Sequence, residues 1–168
     1  MKKLLYLIRH AKSSWDDPSL RDHDRPLNKR GMRDAPLMAK ILKKKGIKPD
    51  LIYSSTAVRA LEFSKVIADT LDIKRKKLLP TKELYMADVK EMFGILRSVD
   101  DTADTVFMVG HNPYITEFAN SLCNYNVDNI PTSGVFCVEF DAKKWKDIEI
   151  GKGKFVSFDY PKKYYTDL

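Results

Sequence analysis

Apolar positions in this chain gather in short bursts whose spacing changes from continuous to helical and back. In "MKKLLYLIRHAKSSW" residues 4–8 are apolar without interruption and run straight into Arg9 and His10. An unbroken run of that length predicts a strand covered on both faces. The stretch that follows, "KSSWDDPSLRDHDRPLNKRG", is rich in charge and turn formers and reads as a long loop. Loops of that length in compact domains are usually functional or mobile. Ala35, Met38, Ile41 and Leu42 then recur at helical spacing, predicting a helix that reaches about Lys45. Lys43, Lys44 and Lys45 favour the negative end of its dipole, and Gly46 supplies the residue beyond its end. Pro36 is expected in its first turn or at a kink.

The alternation continues. "DLIYSS" at 50–55 is a second short strand, and Ser55 or Thr56 caps a helix over 57–71 with Ala60, Phe63, Ile67 and Leu71 as its stripe. A short strand fits Leu78–Pro80 within "KRKKLLPTKELY". Met92, Phe93, Leu96 and Val99 make 89–99 helical, and 105–109 is a strong strand. Asn112 is read as the cap of a further helix with Pro113 at its first position. "GVFCVEF" and "KFVSFDY" provide two last strands. Strands alternating with helices predict an α/β fold, a three-layer α/β/α sandwich on a mostly parallel sheet. With no repeat, linker or low-complexity block, residues 1–168 are expected to form one domain.

Ligands of such sheets bind beyond the carboxyl ends of the strands. The least conventional residues converge on that edge: Arg9 and His10 end the first strand, Arg59 opens the helix after the second, and Gly110 and His111 end the later one. A cation near a helix N-terminus meets the positive end of the dipole, which costs a few tenths of a kcal/mol or more. A bound anion resolves the conflict, because both the helix start and the guanidinium favour it. Two arginines, two histidines and two helix starts describe a pocket for a phosphate-like dianion. In such a pocket a neutral imidazole can attack phosphorus in line while the cationic groups stabilise the equatorial oxygens. Each residue taken singly has a plainer reading: His10 as a strand-end histidine, His111 as part of a helix cap, Arg59 paired with a surface carboxylate such as Glu62. Their conjunction favours the pocket.

Composition narrows the field further. The chain is 43% apolar and 32% charged, as expected of a soluble globular protein. A formal charge of +7 is compatible with an anionic partner and equally with a solvated surface. There is no RNP-like aromatic stripe or zinc knuckle, so nucleic acid is not expected as a partner. "KRKK" reads as a solvated turn. No Walker A loop, Cys-x5-Arg loop or metal-spaced His/Asp/Glu cluster is present. His23, between Asp22 and Asp24, reads as an exposed triplet more consistent with solvation than with a metal. Cys123 and Cys137 lack disulfide or metal spacing and are expected as buried free thiols. No apolar run approaches the ~18 residues of a membrane span, and Arg9 ends the first run too early for a signal peptide. A cytoplasmic, membrane-free protein is expected.

The motifs resemble a known family. "LIRHAKSSW" resembles the Arg-His-Gly motif of the histidine phosphatase superfamily, the phosphoglycerate-mutase-like fold. "RPLNKRGMRDA", "YSSTAVRALEFSKVIA" and "VFMVGHNPYITEFA" are similar to its three later motifs, in the same order. The short chain, "RHAKS" and "GHNP" look most like the bacterial phosphohistidine phosphatases of the SixA type. The resemblance implies His10 as the phosphorylated nucleophile, with Arg9, Arg59 and His111 binding the phosphoryl group, and neither metal nor cofactor. It implies as partner a protein phosphorylated on histidine or, alternatively, a small phosphate ester; a non-catalytic phosphate- or RNA-binding module is the reading from another class. Many members use a glutamate after the second helix as general acid, and Glu83 in "TKELY" is the candidate by position; as a residue it reads equally as a surface glutamate beside Lys82. Arg25 in "DRPL" reaches the pocket from the long loop or lies on the surface. Two departures stand out. Ala11 replaces the usual glycine, so the backbone there need not be glycine-specific. Asp16 stands where mutases carry an asparagine, and a carboxylate beside a dianion is repulsive, so phosphate contact there is not expected.

Overall fold

In a computed structural model, which describes residues 2–167, the chain builds one six-stranded sheet between two layers of helices. Its strands are β1 (Lys2–Arg9), β2 (Leu51–Ser54), β3 (Leu78–Pro80), β4 (Thr105–Gly110), β5 (Val135–Asp141) and β6 (Lys154–Asp159), in the order β3-β2-β4-β1-β5-β6. β3, β2, β4 and β1 are mutually parallel, while β5 pairs antiparallel with both β1 and β6. The sheet is therefore mixed, with only β5 reversed. The α/β expectation holds, as does every predicted strand.

The helices are α1 (Lys29–Lys44), α2 (Val58–Thr70), α3 (Val89–Arg97) and α4 (Tyr114–Leu122). Central strands are apolar on successive residues because each face meets a different layer. Leu5, Leu7, Val106 and Met108 pack with Met92 and Leu96 of α3 and Phe118 and Leu122 of α4. Tyr6, Ile8, Phe107 and Val109 pack with Met38 and Leu42 of α1 and Phe63 and Ile67 of α2. Cys123 and Cys137 are buried free thiols, as predicted. No helix among the described residues is long and apolar enough to cross a membrane.

Several local details differ from expectation. Pro36 lies in the interior of α1, not in its first turn. Its missing N–H leaves Met32 without the usual i+4 donor, and Met32 is 60% exposed, on the side where solvent is at hand. Asn28 starts α1 by accepting from the Gly31 N–H at 2.8 Å. Gly46 closes it at φ +71°, with its N–H on Lys43 and that of Ile47 on Leu42. The segment Pro161–Asp167 forms 3-10 turns that pack on α1: the Tyr165 hydroxyl lies 3.3 Å from an Asp34 carboxylate oxygen, and Arg33 covers the Tyr165 ring.

The start of α1 also anchors the chain just after His10. Asn28 donates its N–H to the Lys12 carbonyl at 3.0 Å, and a Cβ on Gly31 would stand 2.1 Å from that same oxygen. Only glycine permits this approach of helix to loop. Gly31→Ala is expected to cost about 2 kcal/mol of stability, a fall of roughly 4–8 °C in Tm by calorimetry. An unchanged Tm would show that the contact yields freely.

Candidate active site

Parallel pairing of β1 with β4 places Arg9 opposite Gly110, so the residues that follow each strand leave the sheet side by side. His10 and His111, a hundred residues apart in sequence, come to 5.0 Å between ring centroids. His10 is held from both directions. Its backbone N–H donates to the Gly110 carbonyl, and its carbonyl accepts from Ser133. Ser133 sits at φ +62°, a strained conformation for a residue with a side chain, and its N–H lies within 3.1 Å of the carbonyls of both Arg9 and His10. Ala11 is fully buried and lies outside the positive-φ region, so no glycine is needed there.

The ring of His10 has a defined tautomer. Its Nδ1 lies 2.7 Å from the Ala11 carbonyl oxygen, which can only accept, so Nδ1 carries the proton and Nε2 keeps a lone pair. His111 is set the other way. Its Nδ1 accepts from Arg59 Nη2 at 3.4 Å, and its Nε2 donates to Ser55 Oγ at 2.7 Å. Burial pushes both imidazoles down to about 3, His111 and the arginines reinforcing the shift on His10, and Arg59 that on His111. Both rings are neutral near pH 7.

The two expected arginines are brought to the same place. Arg9 donates Nη1 to the Ile130 carbonyl at 3.1 Å, and burial together with the Arg59 and Arg30 charges lowers its pKa. Arg59, 5% exposed, is in the first turn of α2. It pairs not with Glu62 but with Asp22: Nη2 meets the carboxylate at 2.9 Å and Nη1 the backbone oxygen at 2.6 Å. Arg9 Nε, Arg59 Nε and Ser133 Oγ are shielded from solvent and have no partner among the described residues.

Asp22 is the residue that sequence reading missed. The Asp22–Asp24 segment is a 3-10 turn in the long loop; Asp22 is exposed there, as expected, but its carboxylate is bound by neighbouring side chains as well as solvated. Asp22 accepts from Arg59 and from the Tyr85 hydroxyl on one oxygen, and from Arg25 Nε and Nη2 on the other. Burial opposes its ionisation, but the hydrogen bonds from Tyr85, Arg59 and Arg25 outweigh it and hold the carboxyl well below the usual range. His23 is half-buried, with Nε2 2.9 Å from Thr56 Oγ1 and its ring edge-on to Tyr85. Thr56 therefore serves the loop and does not cap α2. Ser55 Oγ accepts from the Ala57 N–H and from His111, and α2 starts at an uncapped Ala57. The one sequence signal available was "DHDRPL" itself, in which Asp22 and Arg25 are three apart.

The remaining candidates divide. Arg25 is buried beside the cluster and reaches it through Asp22. Glu83 is exposed on the Lys82–Tyr85 turn and takes no part in the cluster's hydrogen bonds; Tyr85 does, through its hydroxyl and through an edge-on ring contact with His111 at 5.5 Å. Asp16 is exposed and apart from the site. Asn112 does not cap α4: its side chain bonds Asn129, Ile130 and Thr116, and Pro113 takes the cap position with no side-chain cap. No group of three or more His, Cys, Asp or Glu suited to a metal occurs among the described residues.

With this geometry in view, comparison with known proteins is decisive for the family. The sequence profile of the histidine phosphatase superfamily (branch 1) matches residues 5–98, and the chain belongs to that superfamily of enzymes. An uncharacterised protein of Mycobacterium tuberculosis is 31% identical over 166 residues, covering 92% of this chain and all of its own. A chloroplastic Arabidopsis thaliana protein, also uncharacterised, is 51% identical over 72 residues; that match spans 43% of this chain and a third of the relative's length. Among solved structures, one named as SixA from Agrobacterium tumefaciens is 26% identical with a TM-score of 0.78, covering 95% of this chain and 99% of its own. The protein histidine phosphatase SixA complexed with tungstate shares the fold at a TM-score of 0.81 and 22% identity, over 95% and 98% of the two chains.

The depressed histidines make a pH prediction. The unfolded chain has ordinary histidines near 6.5, so between about pH 6.5 and 3 it binds more protons than the folded one, and stability falls as pH falls through that window. NMR titration of ring carbons should find His10 and His111 still neutral at pH 5. A His10 midpoint near 6.5 would contradict the burial argument.

Proposed function

We propose that this chain is a metal-independent phosphatase that works through a phosphohistidine on Nε2 of His10 and removes phosphoryl groups from phosphohistidine in a partner protein. The observation that carries the mechanism is the 2.7 Å contact of His10 Nδ1 with the Ala11 carbonyl, which leaves Nε2 as the free lone pair. In the first step that lone pair forms the N–P bond while the bond from phosphorus to the leaving group breaks, the leaving group taking the electron pair. Arg9, Arg59 and the uncapped starts of α2 and α4 favour the charge on the equatorial oxygens. In the second step water attacks phosphorus, the N–P bond breaks, its electron pair returns to Nε2, and both protons of the water leave with the phosphate. Because Nδ1 keeps its proton throughout, the ring departs as a neutral imidazole rather than an anion.

The substrate reading rests on the missing acid. Asp22 is held ionised by its partners, and Glu83 stands outside the cluster. An alkoxide leaving group needs a positioned proton donor, whereas the imidazole of a protonated phosphohistidine leaves without one. Two of the connections over the strand ends, residues 81–88 between β3 and α3 and 111–113 between β4 and α4, are short, in contrast to the long loop after β1, and favour access for a protein surface.

His10→Ala is expected to abolish turnover and acid-labile phosphoryl labelling, and Arg59→Ala to reduce kcat/KM by about 10²–10³. Rates on a histidine-phosphorylated carrier protein against a panel of sugar phosphates test the substrate: faster turnover of the sugar phosphates would assign the site to small esters. Binding of phosphorylated substrate without any turnover would leave a phosphate-binding module.

A further inference from the structure

Trp15 and Met86 are the two most exposed large apolar residues among the described residues, at 72% and 76%. Each belongs to a segment that engages the Asp22 carboxylate, through different oxygens. The Trp15 ring lies 3.4 Å from the guanidinium of Arg25, which grips Asp22 through Oδ1. Met86 follows Tyr85, whose hydroxyl holds Oδ2 of the same carboxylate. Two further exposed apolar side chains lie close to site residues along the chain: Leu20, two residues before Asp22, and Tyr114, three residues after His111 at the start of α4.

Exposed apolar side chains scattered singly need no explanation, but a set around a functional pocket marks a contact surface. Trp, Tyr and Met are the residue types that dominate such surfaces. The stack on a buried arginine holds the Trp15 ring in place before any partner arrives, which lowers the entropy cost of using it as an anchor.

We infer that Trp15, Leu20, Met86 and Tyr114 form the docking rim for a folded protein that presents its phosphorylated side chain from an apolar patch, and that this rim sets the preference for protein over small-molecule substrates. The occupant follows from continuity. A protein carrying the phosphoryl group lies across these neighbouring segments, whereas a small ester seated on Arg9 and Arg59 cannot reach exposed side chains of three separate segments at once. The inference rests on the protein-phosphohistidine reading given above.

The test compares two substrates, a histidine-phosphorylated carrier protein and free phosphohistidine, with wild type, Met86→Ser and Trp15→Ala. Met86 is 76% exposed and is not itself one of the phosphoryl-binding groups, so Met86→Ser is the cleaner variant. For both variants, kcat/KM on the protein should fall about tenfold, chiefly through KM, while the rate on free phosphohistidine stays within about twofold. Unchanged protein kinetics in both variants, or an equal fall on both substrates, would overturn the rim. A wild-type enzyme that turns over free phosphohistidine but no phosphorylated protein would instead overturn the reading beneath it.

Discussion

Arg9 faces Gly110 across a parallel strand pair, and everything chemical in this protein follows from that register. It sends two histidines out of the sheet at one edge and lets the His10 N–H close on the Gly110 carbonyl. A slip of one residue would turn the ends of β1 and β4 to opposite faces. The register is secured by burial on both sides, since Leu7 and Met108 enter one core and Ile8 and Val109 the other. β5 on the far side adds a second constraint: the turn before it carries Ser133, whose N–H reaches the carbonyls of Arg9 and His10. His10 is thus set by the three central strands rather than by a flexible loop.

A second layer supplies the charge balance. Arg9, Arg59 and Arg25 crowd a small region, and two neutral histidines offer no counter-charge. Asp22 offsets part of this by binding two of the three arginines together with Tyr85. The same arrangement removes Asp22 as a proton donor, because the contacts that orient it also keep it ionised. Charge organisation and the lack of a proton on Asp22 are in this way two consequences of one loop.

Much of this was readable from the residues. Strand positions, the two-sided sheet and the convergence of Arg9, His10, Arg59 and His111 all follow from apolar spacing and from the rule that ligands meet α/β sheets beyond the strand ends. What escaped was side-chain company. Asp22 and His23 look like solvated loop residues because nothing in local spacing says that a loop will fold back over α2. Tyr85 was overlooked for Glu83 because a carboxylate is the expected acid, and only the path of the Lys82–Tyr85 turn shows which of the two side chains faces the cluster. The caps of α2 and α4 were misjudged for a related reason: Ser55 and Asn112 are good capping residues that tertiary partners recruit elsewhere.

The sequence by itself determined the fold class, the carboxyl-edge location of the site and its four principal residues, since these depend on periodicity and chain order. The tertiary structure decided the tautomer of His111, the partner of Arg59 and the direction in which β5 runs. These depend on distances of about 3 Å between residues 37 to over a hundred positions apart, and no local pattern encodes such distances.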